Sequence, residues 1–214
     1  MSLLPLGDSE IRRALKKYLS AAHRSDPELF LVEELGICQG RARADVTLLT
    51  RRMHAYEIKS DRDSLRRLIG QIDFYGRCFD EVTVVVGERH LDNISVAVPS
   101  WWGVLKASRI GTECGLVSIR DPQPNPGRDP RALAEFLWLS EALMLLAEHG
   151  IDRGVRSKPR RYIWDRISEC LDVDTIACAV RERIRARTTE KAAEPRSLCD
   201  ELFPIVSTPQ ASPV

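Results

Sequence analysis

The stretch ADVTLLTRRMHAYEIKSDRDSLRRLIGQIDFY, residues 44–75, decides how the rest of the chain is read. Two β-like runs, residues 44–49 and 53–59, lie so close that a hairpin is the natural reading, with Thr50, Arg51 and Arg52 as its turn. Strand side chains alternate faces, so Glu57 and Lys59 share one face while Ile58 points into a core. A three-residue loop sets Asp45 opposite Glu57 on that same face. Two carboxylates and an ammonium are therefore expected to converge. Facing like charges cost up to about 1 kcal/mol. A divalent cation held by Asp45, Glu57 and the Ile58 carbonyl would turn that repulsion into ligation, and hard oxygen ligands suit Mg²⁺ or Mn²⁺. The alternative is a surface hairpin whose charges are merely solvated.

Beyond the hairpin, Ser60 or Asp61 is expected to cap a helix whose apolar stripe is Leu65, Leu68, Ile69, Ile72 and Phe79. Ser64, Arg67, Gln71 and Tyr75 run along the edge of that stripe, toward the sheet's rim. Gln71 is placed to orient a water or a phosphate, and Tyr75 to brace Gln71 or Lys59. Tyr75 as a half-buried core aromatic is the alternative. Before the hairpin, the pattern predicts a helix from Asp26 or Pro27 to Leu35, stopped by Gly36, with Glu34 (or Glu33) as an acid at its end. A loop or short strand with Arg41 and Arg43 follows. Arg43 has the parity of Asp45 and is the better placed of the two to grip a phosphate.

These residues together resemble the PD-(D/E)XK nuclease superfamily. Asp45 matches its first acid, although Ala44 stands where the family name has Pro. Glu57 and Lys59 match the (D/E)-x-K element, and Gln71 and Tyr75 match the Q-x-x-x-Y element of the RecB-like branch. The resemblance covers residues 10–107 and points to small, poorly characterised bacterial members. It implies a restriction-endonuclease-like α/β core, a mixed central sheet flanked by helices, with Asp45, Glu57 and Glu34 on Mg²⁺ or Mn²⁺. Lys59 would then help a water attack a DNA phosphodiester and Gln71 would fix its geometry.

Working outward, Asp8 or Ser9 can cap a helix carrying Ile11, Leu15, Tyr18 and Leu19. Residues 82–86 form a continuous apolar run, the mark of a strand buried on both faces and parallel to the Glu57 strand. Residues 89–98 are ambiguous between helix and strand, residues 102–107 and 115–119 read as strands, and the Trp101-Trp102 pair reads as core. The stretch 121–130, rich in Pro, Asn, Gly and Asp, reads as a linker between a core of residues 1–120 and a helical region of residues 131–191. That region opens with one helix from Arg131 to His149. It continues through a basic segment including Arg160 and Arg161, expected on substrate backbone, into helices near residues 162–171 and 175–187. Residues 192–214 are expected to be a disordered tail.

Composition narrows the classes. The chain has 214 residues, 43% hydrophobic and a formal charge of +1, so any nucleic-acid contact must rest on local patches. Six cysteines without a C-x-x-C pair offer no zinc or iron–sulfur pattern, and no apolar run is long enough to span a membrane. A cytoplasmic protein is expected, its oligomeric state left open with a homodimer included. Serine-hydrolase, P-loop and dinucleotide motifs are missing. The expectation is a Mg²⁺-dependent deoxyribonuclease in DNA repair or defence against foreign DNA. Its rival is an inactive module of the same fold that binds nucleic acid or a protein partner.

Overall fold

The computed structural model describes residues 5–193. A six-stranded mixed sheet runs in sequence order: β1 (Phe30–Ile37), β2 (Ala42–Leu49), β3 (Met53–Lys59), β4 (Glu81–Gly87), β5 (Gly103–Ile110) and β6 (Glu113–Arg120). The pairs β3/β4 and β4/β5 are parallel, and the outer three are antiparallel. As the apolar run of residues 82–86 implies, every residue of β4 from Val82 to Gly87 is buried.

The helices divide between the two faces. Helix α1 (Asp8–Ala22) sets Ile11, Leu15 and Leu19 on one face, against Val46, Leu48, Tyr56, Ile58 and Val85. The opposite face carries α2 (Arg66–Cys78), α3 (Leu91–Ala97), α4 (Pro130–Ala134), α5 (Leu139–Glu148), α6 (Arg160–Cys170) and α7 (Val173–Ala193). Buried residues of α4 to α7, among them Leu133, Leu146, Trp164 and Val180, belong to the same apolar cluster as Phe79, Val84 and Trp102. The segment 121–130 is tied down: the Asn125 side-chain amide donates to the carbonyls of Gly76 and Phe79 at 2.6 and 2.7 Å, and Asp129 accepts from Arg77.

Several local expectations change. Residues 30–37 are an edge strand, not the end of a helix, because seven cross-strand partners on β2 outweigh the weak helical preference of so short a segment. Glu34 thus sits in the sheet, with φ of 57°, the left-handed region that side chains rarely adopt. Helix α1 is capped by Gly7, whose N–H donates to Glu10. Helix α2 begins at Arg66, because Asp63 first closes a turn onto the N–H and hydroxyl of Ser60. Its buried stripe is Leu68, Tyr75 and Cys78, while Ile69 is 59% exposed. Residues 91–97 are helical, and the helix expected over residues 131–149 is two, α4 and α5, broken at residues 135–138. The tail reading lies outside the described residues except at residues 192–193, which continue α7.

Candidate functional site

The hairpin closes as its loop length requires. Leu49 pairs with Met53 and the ladder runs to Val46 opposite Tyr56, after which Asp45 would face Glu57. The strands part there: the Asp45 carboxylate takes the Ile58 N–H at 2.7 Å, so a side chain replaces the next rung. A polar cleft of about 550 Å³ opens at this point, lined by Glu34, Arg41, Arg43, Asp45, Glu57, Ile58, Lys59, Asp63, Arg67 and Gln71. The structure therefore brings most of the residues singled out from sequence to one place.

What they do there differs from expectation. Glu57, 3% exposed, is gripped by the Lys59 ammonium at 2.5 Å and by the Tyr75 hydroxyl, which donates to its other oxygen. Tyr75 is fully buried and also lies 3.1 Å from the Arg43 carbonyl; it braces Glu57 rather than Gln71 or Lys59. Asp45 is held by Ile58 N–H and by Arg12, whose Nη2 is 3.0 Å from the carboxylate and whose Nη1 donates to the Asp45 carbonyl at 2.8 Å. Glu34 is paired with Arg12 at 2.8 Å and Arg43 at 2.7 Å. Gln71 has its Oε1 buried without a partner among the described residues.

Burial sets the electrostatics. Desolvation pushes the Asp45 carboxyl above its ordinary range against the pull of the Ile58 N–H and Arg12. Glu57 is raised by burial and then by the neighbouring Asp45 charge, against the pull of Lys59 and Tyr75. Burial, followed by the Glu57 charge, lifts the Tyr75 phenol far above its usual value, so it stays a donor. Burial would lower Arg12, but hydrogen bonding to Asp8 and the charges of Asp45 and Glu34 hold it above the usual guanidinium range.

The residues do not fit the divalent cation as they stand. Every acid that would ligate it is already closed on a protein donor, and Lys59 supplies the positive charge between strands. Among the described residues, no three His, Cys, Asp or Glu side chains are grouped to hold a metal ion. Arg12 was missed from sequence. Its only local signal is the i, i+4 spacing of Asp8, Arg12 and Lys16 on the polar side of α1, a pattern shared by any solvated helix.

A second cleft, of about 770 Å³, runs beside the outer strand β1 and shares Glu34, Gly36 and Gly40 with the first. Its far wall contains Phe136, Trp138, Arg160, Ile184 and Arg187. Trp138 is 58% exposed, with the Arg187 guanidinium 4.8 Å from its ring centre. Arg160 lies over Trp164 at 4.4 Å, and Arg161 is exposed on the first turn of α6. Arg67 lines the first cleft and Arg160 the second, so Arg160 is not beside the hairpin acids, and Arg161 lines neither cleft.

Fold and site define a three-layer α/β protein whose sheet edge carries a cleft with Glu34, Asp45 and Glu57 paired internally. The chain belongs to the bacteriophage P4 protein cII family: that family's model, described as "Bacteriophage P4 protein cII", matches residues 6–195. A curated relative, "Protein cII" of Enterobacteria phage P4, is 30% identical over 152 residues. These are 68% of this chain and 55% of the relative, so the alignment spans about half of the relative's length. No solved structure gives a significant match. This membership overturns the nuclease resemblance, and with it the deoxyribonuclease activity, the repair or defence setting, and the description as a metal-binding hydrolase. The α/β architecture stands. Among the described residues no helix is long and apolar enough to cross a membrane.

Proposed function

We propose that this protein binds DNA, without cutting it, along the trough made by the two clefts. Arg41, Arg67 and Arg160 would grip phosphates, and Trp138 would stack a base. One observation carries the reading: the balance between closed acids and open arginines. Of the acids lining the clefts, Asp8, Glu33, Glu34, Asp45, Glu57 and Glu135 each have a basic partner and Asp63 is held by Ser60, which leaves Glu190, whereas the side chains of Arg41, Arg67 and Arg160 take no ion pair among the described residues. Arginines with free forks in a groove are what a phosphate backbone requires, and an exposed indole offers a face to any base. The relative's name carries no activity, so the reading rests on the trough. A cytoplasmic setting is part of the same proposal.

Fluorescence anisotropy with labelled single-stranded and duplex oligonucleotides tests the proposal. Replacing Arg41, Arg67 and Arg160 together by Glu should weaken binding by about tenfold or more, and each lost phosphate contact should flatten the salt dependence by about one unit of slope. Trp138→Ala should weaken single-strand binding by about 1 kcal/mol or more while leaving a salt slope intact. If wild-type protein shows no affinity for either oligonucleotide at low salt, the reading fails.

A further inference from the structure

The sharp connection between β1 and β2 holds a feature that DNA binding does not use. Residues 38–40 form a single 3₁₀ turn in which Cys38, Gln39 and Gly40 all have positive φ, at 49°, 59° and 83°. Cys38 is 5% exposed and lines the larger cleft, and Cys78, on the last turn of α2, is 1% exposed behind it. Their sulfurs are 3.7 Å apart and are hydrogen-bonded to each other. Both are free thiols, and the pair joins positions 40 residues apart in sequence.

We propose that Cys38 and Cys78 form a thiol–disulfide exchange site, entered from the β1 cleft, that reacts with small-molecule disulfides and closes into a Cys38–Cys78 bond. Cys38 lines the β1 cleft while Cys78 lies behind it, so a disulfide entering there meets Cys38 first; the bond to Cys78 also favours the Cys38 thiolate, against its own burial. Cys38 is thus the attacking sulfur. Its thiolate attacks one sulfur of an oxidised disulfide such as oxidised glutathione; a mixed disulfide forms and one glutathione thiolate leaves. Cys78 then loses its proton and attacks the Cys38 sulfur, expelling the second glutathione thiolate. Two protein thiols are oxidised and one disulfide is reduced to two thiols, with the two protons passing to the departing thiolates.

Geometry makes the closure local. A disulfide needs its sulfurs at about 2.05 Å, so the pair has less than about 2 Å to close. The turn that carries Cys38 is backbone in a sparsely populated conformation, not a rung of the ladder, and can supply that movement. Closure would tie the turn shared by both clefts, through Gly40, to the end of α2. Oxidation state would therefore alter the trough proposed for DNA.

The experiment equilibrates the full chain against oxidised and reduced glutathione at graded ratios, in a background where Cys170, Cys178 and Cys199 are Ser. Peptide mapping without reduction should find residues 38 and 78 linked with the loss of two hydrogens. The melting midpoint should rise by about 10 °C, as expected for closing a loop of this length. Cys78→Ala should abolish both and stop at a glutathione adduct on Cys38. A full titration that yields no 38–78 linkage, or an adduct on Cys38 that never resolves with Cys78 present, overturns the proposal. Neither readout involves DNA, so failure of the binding reading leaves this test intact.

Discussion

Arg12 holds Asp45 at both ends: its Nη2 lies 3.0 Å from the carboxylate while its Nη1 donates to the backbone carbonyl of the same residue. The same guanidinium reaches Glu34 at 2.8 Å and Asp8 at 3.2 Å, so one side chain of α1 ties the outer strand β1 to β2. Arg12→Met would leave a mostly buried Asp45 with the Ile58 N–H alone. The side chain is only 17% exposed, so little of the loss is screened by water. The expected destabilisation is about 2–3 kcal/mol, read as a lowered urea midpoint with unchanged m-value.

Acidity acts on this cluster in a defined direction. Asp45 and Glu57 have carboxyls raised in the folded state above ordinary values of 3.8 and 4.5. A raised folded value means the native state binds protons more tightly than the unfolded chain. Stability from these groups is full below the unfolded values and is lost as pH rises through the raised ones. Glu57→Gln keeps an acceptor for Tyr75 but cannot ionise. As pH rises above the ordinary carboxylate range, denaturation midpoints should therefore fall less steeply in the variant than in wild type. Parallel curves would show that Glu57 titrates normally.

Divalent metal is expected to do nothing to the native protein. With Glu57 on Lys59 and Tyr75, and Asp45 on Arg12 and Ile58, a cation would have to displace four donors. Titrating Mn²⁺ should leave the melting midpoint within about 1 °C of its starting value, since only a ligand that prefers the folded state raises it. A saturating rise, lost in Asp45→Asn, would contradict this.

Gly103 opens β5 where the chain has no room for a side chain. A Cβ there would fall 2.5 Å from the Thr83 hydroxyl and 3.0 Å from the ring of Pro122, with the Pro122 nitrogen at 3.1 Å. Gly103→Ala should cost about 1–3 kcal/mol through displaced backbone, measurable by thermal unfolding. The neighbouring strand β4 is parallel and buried from Val82 to Gly87, so the strain has no solvent-facing route of relief.

The hairpin, its three-residue turn, the doubly buried strand of residues 82–86 and its parallel pairing to β3 were all readable from residue pattern. So was the meeting of Asp45, Glu57 and Lys59 at one cleft, because strand parity and loop length are local quantities. Residues 26–35 read as helix by pattern, yet the edge strand β1 covers residues 30–37, since so short a stretch cannot separate the two periods and only pairing with β2 decides. Tyr75 reads as lying at the edge of its helix stripe, yet its ring is buried against Phe79 and Trp102 and its hydroxyl finds Glu57. The nuclease likeness rests on the order and spacing of short motifs, and family membership overturns it.

What the sequence determined unaided is the set of elements and their faces, since side-chain periods of two and 3.6 are written along the chain. Only the tertiary structure decided that Arg12, 33 residues from Asp45, closes on it, and that Cys38 meets Cys78 across 40 residues. No local rule connects such pairs. They meet because the sheet and helices pack around a common core, and the charges and thiols left at its margin must then satisfy one another.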